Sequence, residues 1–555
     1  MIDREWCSPP IVDRVPERAP GTVEIGFSVP ERYNASAILF DNLTAGRGRR
    51  TAVTGPAGTK TYFELAAEAQ AFAAGLVAAG FNRGDRVLLF LDDTPSYPAA
   101  LFGAIRAGLV PVLTNTLTPP DLLQFYLSDS GARIAICDAA FAERFNTTAC
   151  NGTALDSLIV VNGEAPTSAA VTTISAYEWL SSDASKLSAV DTHRNDMAFW
   201  MYSSGSTGRP KGIVHLQHDM IYTHLAYGRH LLGLSTDDVC FSVPKVFFAY
   251  GLGNSITFPF AVGASSVLLP GQPNPRAIFE CIAHYRPTVF FGLPTLYTAL
   301  AKAAEAKTAE LASLRLCVSA AEVLSAEVSR AWKELSGLDI MEGLGSTEVL
   351  HIYLSNTARA KKTGSAGQRV PGYEVVLRGE DGGDAACGAE GILWVRGDSN
   401  APCYWSCPEK TAETMREDGW ISTGDRFLRD GDGFYFFRGR ADDLVKVSGQ
   451  WVYPLEVELT LADHPAVREC AVLAVELADR RMTLKAFVVL NDRAAASDAM
   501  MRELQVYVKG RLLPYKYPRS MEYLDELPKT GTGKIDRQAL RKRSLSGTVA
   551  EKHDG

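Results

Sequence analysis

The sequence predicts an α/β protein: a large N-terminal domain of several subdomains, and a small mobile α+β domain at the C-terminus. Three observations carry this. Strand-length apolar runs such as Arg86-Val-Leu-Leu-Phe-Leu91 alternate with helical patterns over much of the chain. Such continuous runs suit parallel sheets buried on both faces. The segment from about 370 to 440 turns rich in Gly and Asp, with short strands, and reads as a small β-rich subdomain. After Arg440-Ala-Asp-Asp443 the pattern changes again, to a compact module of roughly a hundred residues.

The elements follow in order. Thr61 and Glu64 have capping-box spacing. Leu65, Ala69, Phe72, Leu76 and Ala79 then mark one helical face, and Gly80 is a stop. A strand at Arg86–Leu91, a helix near Ala99–Ala107 and a strand at Leu109–Leu113 come next. Further strands are expected at Ile134–Cys137, Leu158–Val161, Ala198–Tyr202, Val239–Val243, Val267–Leu269, Val289–Phe291 and Arg315–Val318. Glu374–Leu377 and Ile392–Val395 belong to the β-rich subdomain. In the last module Pro454 takes the first helical position before Leu455–Ala462. Strands at Cys470–Val475 and Lys485–Leu490 and a helix near Met500–Leu512 complete it. The expected division is 1–441 and 442–555.

Composition narrows the function. At 555 residues the chain is long enough for roughly two to four domains. Its 46% hydrophobic and 22% charged residues exclude a disordered chain, a coiled coil and a collagen-like fibre. A net charge of −8 argues against nucleic-acid and anionic-membrane partners, which want basic surface. It leaves room for a local phosphate pocket. Ten cysteines scattered from Cys7 to Cys470, in a chain able to build its own core, argue for a reducing cytoplasm over a disulfide scaffold. The stretch MIDREWCSPP has no apolar signal region, and no uncharged apolar run reaches the ~20 residues of a spanning helix. A soluble cytoplasmic protein is expected.

One string carries chemistry. Tyr202-Ser203-Ser204-Gly205-Ser206-Thr207-Gly208-Arg209-Pro210-Lys211-Gly212 follows an apolar strand. Its glycines let backbone N–H groups approach phosphate oxygens, and its hydroxyls and Lys211 add donors. It lacks the G-x-x-x-x-G-K-[ST] order of a Walker loop. An ordinary Ser/Gly surface loop is the plain alternative.

The whole string resembles the phosphate loop of the adenylate-forming superfamily, which includes acyl- and aryl-CoA ligases, peptide-synthetase adenylation domains and luciferases. Four further motifs resemble that family in the same order. They are Gly343-Leu-Gly-Ser-Thr-Glu348, Ser422-Thr-Gly-Asp425, Gly439-Arg440-Ala-Asp442-Asp443-Leu-Val-Lys446-Val-Ser-Gly449 and Pro528-Lys-Thr-Gly-Thr-Gly-Lys534. The likeness runs from about 35 to 542. It implies ATP, Mg²⁺ and coenzyme A as cofactor and co-substrates. It also implies two steps: a carboxylate attacks the α-phosphate of ATP, and a thiol then displaces AMP.

By this resemblance Lys534 is the catalytic lysine, Thr347 contacts phosphate and Glu348 holds Mg²⁺. Ser203, Ser204, Gly205, Ser206, Thr207, Gly208 and Lys211 cradle the phosphates, with Gly345 and Ser346 beside them. Asp425 and Arg440 serve the ribose. Ser319, Ala320 and Glu322 serve the adenine side, where Ala321 replaces a glycine of the family. Asp442 is the hinge, and Lys446, Ser448 and Gly449 enter beside the thiol channel after the small domain turns.

The acid itself is indicated by Lys245-Val-Phe-Phe-Ala-Tyr-Gly-Leu-Gly-Asn254 and Leu350-His-Ile-Tyr353. Both resemble benzoate-CoA ligases, which implies that Ala249, Tyr250, Gly251, His351 and Ile352 line an aryl pocket. Small Ala beside flat aromatic walls suits a planar ring. Plain core packing is the alternative for Phe247 and Phe248. Gln368-Arg369 and Trp451-Val-Tyr453 depart from the benzoate-ligase pattern, so a hydroxy- or aminobenzoate and a different thiol stay open. Cys403-x-x-x-Cys407 and His215-x-x-His218 lack the partners of a metal site.

The leading expectation is an AMP-forming aryl-CoA ligase acting on a small aromatic acid with ATP and CoA, without nucleic acid or membrane. Its rivals are a stand-alone adenylation enzyme that loads a carrier protein, a luciferase-like oxygenase, and a non-catalytic ligand-binding relative.

Overall fold

Local chemistry starts the first long helix as its sequence requires. In the computed structural model the Thr61 N–H donates to the Glu64 carboxylate at 2.7 Å, and the Glu64 N–H donates back to the Thr61 hydroxyl at 3.3 Å. This reciprocal cap opens the helix Tyr62–Ala78. Leu65, Ala69, Phe72 and Leu76 are fully buried along one face. Ala79 is the exposed C-cap, so the apolar repeat read from sequence runs one position past the helix. The structure describes residues 28–164, 171–175, 188–203, 210–320, 324–416, 418–441, 445–447, 450–476, 482–513, 515–529 and 535–550.

Among these residues two large sheets dominate. The first has seven strands, ordered Thr172–Ser175, Ser157–Val161, Ile134–Asp138, Arg86–Phe90, Val110–Leu113, Met197–Ser203 and Lys211–Leu216. All neighbours are parallel except the last pair. Val87, Leu88, Leu89 and Phe90 are fully buried, as a strand between two parallel neighbours demands.

The second sheet has nine strands. Its parallel centre runs Ile340–Gly345, Leu316–Ser319, Val289–Gly292, Val239–Ser242, Ser265–Val267 and Thr51–Thr54. Ile352–Ser355 and Gln368–Arg369 add antiparallel strands at one end, and Lys60–Thr61 at the other.

The β-rich segment is a four-stranded antiparallel sheet of Glu374–Arg378, Glu390–Arg396, Ile421–Arg429 and Tyr435–Arg440. The small C-terminal domain has its own sheet of Val467–Glu476, Met482–Leu490 and Ser520–Tyr523, with the helices Pro454–Ala462 and Asp498–Lys509. Val457, Leu461, Val472, Ala486 and Leu504 form its core. No helix among the described residues is long and apolar enough to cross a membrane.

In open parallel sheets ligands bind beyond the carboxyl ends of the strands. Here those ends present Ser203 in the seven-stranded sheet, and Ser319 and Gly345 in the nine-stranded one.

Candidate active site

The strand Lys211–Leu216 organises much of the site. It pairs with Met197–Ser203 in a register that sets Lys211 opposite Ser203. Residues 403–405 add to its free edge: the Val214 N–H donates to the Cys403 carbonyl at 3.2 Å, and the Trp405 N–H to the Gly212 carbonyl at 2.7 Å. Trp405 stacks on Trp200 with ring centroids 4.5 Å apart. Tyr404 is thereby fixed beside Lys211, whose ammonium lies 4.4 Å from the Tyr404 ring centroid. The Tyr404 hydroxyl donates to the Glu348 carboxylate at 2.9 Å. Burial, then the Glu348 charge, pushes the Tyr404 hydroxyl well above the usual tyrosine range, so it stays a donor. Burial lowers the Lys211 ammonium, while Glu348 opposes that effect.

His215 holds the same turn from behind. Its ring is buried and stacked on Phe199 at 5.3 Å. Nε2 bonds the Thr347 carbonyl at 2.8 Å, and Nδ1 bonds the Asp219 carboxylate at 2.8 Å. One short strand thus carries Lys211 toward Tyr404 and His215 toward the backbone of Thr347.

Glu348 and His351 are only three residues apart yet serve different regions. Leu350 between them adopts φ 69°, ψ −31°, a conformation costly for a branched residue by roughly 1–3 kcal/mol. That bend turns His351 inward, where it is buried and stands 5.6 Å from the Tyr250 ring and 4.5 Å from Phe258. Ala249 and Ile352 are buried beside them. Gly251 and Gly345 must lack side chains: an added Cβ would come within 2.0 Å of the Lys245 carbonyl oxygen and 2.5 Å of the His351 carbonyl oxygen. The Lys245 end of this segment is tied to the other large sheet. Its ammonium bonds Asp92 at 2.7 Å, and the Val246 N–H donates to Asp93 at 3.1 Å. Phe247 is buried core, and Phe248 packs against that core.

Asp425 and Arg440 face each other across the strand pair Ile421–Arg429 and Tyr435–Arg440, with an ion pair at 3.0 Å. Their charges act on Tyr353, and the Arg440 charge also reaches Lys211 and Tyr404, so this pair belongs to the same electrostatic neighbourhood. Ser319 and Ser346 each hold a buried hydroxyl with no partner among the described residues, and Ala320 is buried beside Ser319.

Ser204, Gly205, Ser206, Thr207, Gly208, Glu322, Asp442, Ser448, Gly449 and Lys534 lie outside the described residues, as does the side chain of Lys446. The base of the segment carrying Lys534 is described. The Asp536 N–H donates to the Pro528 carbonyl at 2.7 Å, and Lys529 and Ile535 form an antiparallel bridge. Arg537 then pairs with the buried Glu458 at 2.8 Å. Among the described residues there is no cluster of three or more His, Cys, Asp or Glu able to hold a metal.

Sequence reasoning missed Tyr404, Leu350 and the link from His215 to Thr347. The first signal available was Cys403-Tyr-Trp405, an aromatic pair in a stretch otherwise rich in turns.

Glu342, in the strand that leads into Gly345, accepts the Leu324 N–H at 3.2 Å. Burial pushes its carboxyl from the ordinary 4.5 up to about 8. The folded chain therefore holds this proton more tightly than the unfolded one. Its contribution to stability is full below about pH 4.5 and is lost as pH rises toward 8. Glu342→Gln keeps the acceptor and removes the charge. The variant is expected to be more stable than the parent by about 3 kcal/mol at pH 7, and equal to it at pH 4. Urea unfolding at the two pH values checks this.

Residues 40–405 match the AMP-binding enzyme family, and residues 456–534 match the AMP-binding enzyme C-terminal domain. The chain belongs to the AMP-binding enzyme family. It is 43% identical to a benzoate–CoA ligase of Thauera aromatica, over 93% of this chain and 97% of that one. Among solved structures, an anthranilate CoA ligase bound to anthranoyl-AMP superposes with a TM-score of 0.88 at 36% identity, over 94% of this chain and 99% of the other. A benzoate CoA ligase of Burkholderia xenovorans superposes with a TM-score of 0.84 at 39% identity, over 92% and 100%. The family's two-part architecture is the one found here: a large α/β domain followed by a small α+β domain.

Proposed function

We propose that this AMP-binding enzyme is an ATP-dependent aryl-CoA ligase. It joins an aromatic carboxylate to ATP, giving an aryl-adenylate and pyrophosphate, and then passes the aroyl group to the CoA thiol with release of AMP. One observation carries the reading. The Lys211, Tyr404 and Glu348 cluster, with Asp425 and Arg440, adjoins a buried aromatic cluster of Tyr250, Phe258 and His351 across the bend at Leu350. A phosphate site and an aryl site then meet where a carboxylate must reach an α-phosphate.

In this scheme Lys211 and the Ser203–Gly208 backbone hold the phosphates, with Gly345, Ser346 and Thr347 closing over them. Asp425 accepts from the ribose hydroxyls, and Arg440 orients Asp425. Ser319, Ala320 and Glu322 border the adenine. Bringing a carboxylate to a polyanion requires cations, and this scheme assigns Lys534 to the reacting oxygens. The donor set fits Mg²⁺, which takes one or two carboxylates plus waters and phosphate oxygens. Glu348 would hold it, with the unpaired Ser346 hydroxyl at hand. When bound, the ion offsets negative charge on the phosphates. The boundary is set at Asp442, about which the small domain turns to exchange Lys534 for the Lys446–Gly449 segment beside the thiol.

The test is a panel of carboxylic acids with ATP, Mg²⁺ and CoA, scored for AMP and thioester. An aroyl-CoA product is expected. Adenylate without thioester would point instead to a carrier-protein thiol, and no product from any aryl acid would overturn the proposal.

Tyr404→Phe removes one donor from a charged acceptor. Such a bond contributes about 1.5–3 kcal/mol. The variant is expected to lose about tenfold or more in kcat/KM for ATP, with thioester formation from supplied aryl-adenylate little changed. Steady-state kinetics of the two half-reactions check this.

A further inference from the structure

The chain that leaves the strand Val239–Ser242 of the nine-stranded sheet meets two aspartates of the seven-stranded sheet before it reaches Ala249, Tyr250 and Gly251. Asp92 and Asp93 follow the buried strand Arg86–Phe90 at its carboxyl end. The Lys245 ammonium donates to Asp92 at 2.7 Å and to the Leu269 carbonyl at 2.6 Å. The Gly271 N–H donates to the other Asp92 oxygen at 2.6 Å, and the Val246 N–H donates to Asp93 at 3.1 Å. Leu269 and Gly271 follow the strand Ser265–Val267. Three strand ends from two sheets thus converge on the side chains of Asp92, Asp93 and Lys245.

This tie is charged and lies out of water. The Asp93 side chain is 2% exposed, and those of Asp92 and Lys245 are 13% exposed. Burial pushes the Asp93 carboxyl up to about 7, against the Lys245 charge and the Val246 N–H, which hold it down. Removing one partner leaves the other charge buried and uncompensated, so these contacts act far more strongly than surface pairs. From Lys245 the constraint passes along the backbone. The Lys245 carbonyl accepts the Phe248 N–H at 3.0 Å, and the Phe248 carbonyl accepts the Leu252 N–H at 2.8 Å. Gly251 rests on the same Lys245 carbonyl, where an added Cβ would come within 2.0 Å of the oxygen. The short helix Ala249–Leu252 is therefore seated directly on the residue that the two aspartates hold.

We propose that Asp92, Asp93 and Lys245 are positioning residues for the aromatic acid: by seating residues 245–252 on the seven-stranded sheet they fix where Tyr250 stands, and so set the affinity for the acid and not for ATP. This rests on the aryl-CoA ligase reading, in which Ala249, Tyr250 and Gly251 contact the acid. A binding group keeps its geometry only when the residues behind it are held by their own bonds. A displacement of about 1 Å behind a site can cost about a hundredfold. The nucleotide residues Lys211, Tyr404 and Glu348 are held by a separate set of contacts, around the strand Lys211–Leu216.

The experiment measures KM for the acid and KM for ATP separately by ATP–pyrophosphate exchange, with the aryl acid that the parent enzyme uses best. In Lys245→Met and Asp93→Ala the acid KM is expected to rise about tenfold or more, with the ATP KM within about twofold of the parent. Lys245→Arg, which keeps the cation, and Asp93→Asn, which keeps an acceptor for Val246, are expected to hold most of the parent's acid KM. A merely structural role would reduce the fraction of active enzyme, which lowers kcat and leaves both KM values alone. Asp92→Asn is the mildest change, keeping one acceptor for Lys245 and losing the one for Gly271. It is expected to raise the acid KM about threefold, and it decides the matter if the other two variants fail to fold. An acid KM unmoved in the variants that fold, or acid and ATP KM rising together, would overturn the inference. Absence of exchange and of thioester with every aryl acid in the parent would overturn the ligase reading itself, a different result.

Discussion

Lys534→Ala is expected to abolish aryl-adenylate formation, by about 10³-fold or more. It is expected to leave thioester formation from a supplied aryl-adenylate within a few-fold of the parent. The first half-reaction drives one anion against another, so the ammonium acts where charge is most concentrated. The second expels AMP from a mixed anhydride already formed, with a thiol as nucleophile, and has no such barrier of like charge. The described residues on either side of Lys534 in the chain meet in one base, through Pro528–Asp536 and Lys529–Ile535. Arg537 locks that base onto the buried Glu458, which also accepts the Val472 N–H at 2.8 Å. ATP–pyrophosphate exchange reports the first step, and CoA consumption with synthetic aryl-adenylate the second. Equal loss of both would contradict the assignment.

Glu348→Gln is expected to lower adenylation by about 10²-fold or more and to weaken binding of Mg·ATP more than binding of metal-free ATP. The amide still accepts the Tyr404 hydroxyl, which now bonds Glu348 at 2.9 Å, so the turn should keep its shape. What disappears is the hard anionic oxygen. Calorimetry with and without Mg²⁺ separates this from a general loss of the nucleotide site. The test is clean because His215 holds the turn through the Thr347 carbonyl, independently of the Glu348 side chain. Similar weakening with and without the metal would assign Glu348 to ATP positioning instead.

Several elements were legible because their causes are local. The capping box at Thr61 and Glu64 is a four-residue event, and it opens the helix where the sequence places it. The strand Arg86–Phe90 is apolar on both faces because it has parallel neighbours on both sides, and that leaves a continuous signature. The family motifs were legible as strings because each keeps its residue pattern within a few positions.

Other features were not legible because distant segments create them. Tyr404 matters only because residues 403–405 add to the edge of Lys211–Leu216, a pairing that no local pattern records. The π turns His224–Arg229 and Gly253–Thr257 differ from ordinary helix by one shifted hydrogen bond, for which composition has no mark. His215 looked like half of an incomplete metal motif. Its actual partners, Asp219 and the Thr347 carbonyl, join one local and one remote contact.

The sequence by itself determined the α/β class, the order of the motifs and the family to which they belong. Those follow from periodicity and from short-range spacing. Only the tertiary structure decided which groups meet: Lys211 with Tyr404 and Glu348, Asp425 with Arg440, and His351 with Tyr250 and Phe258. Strand pairing and burial bring these groups together over long stretches of chain, which no short-range pattern records.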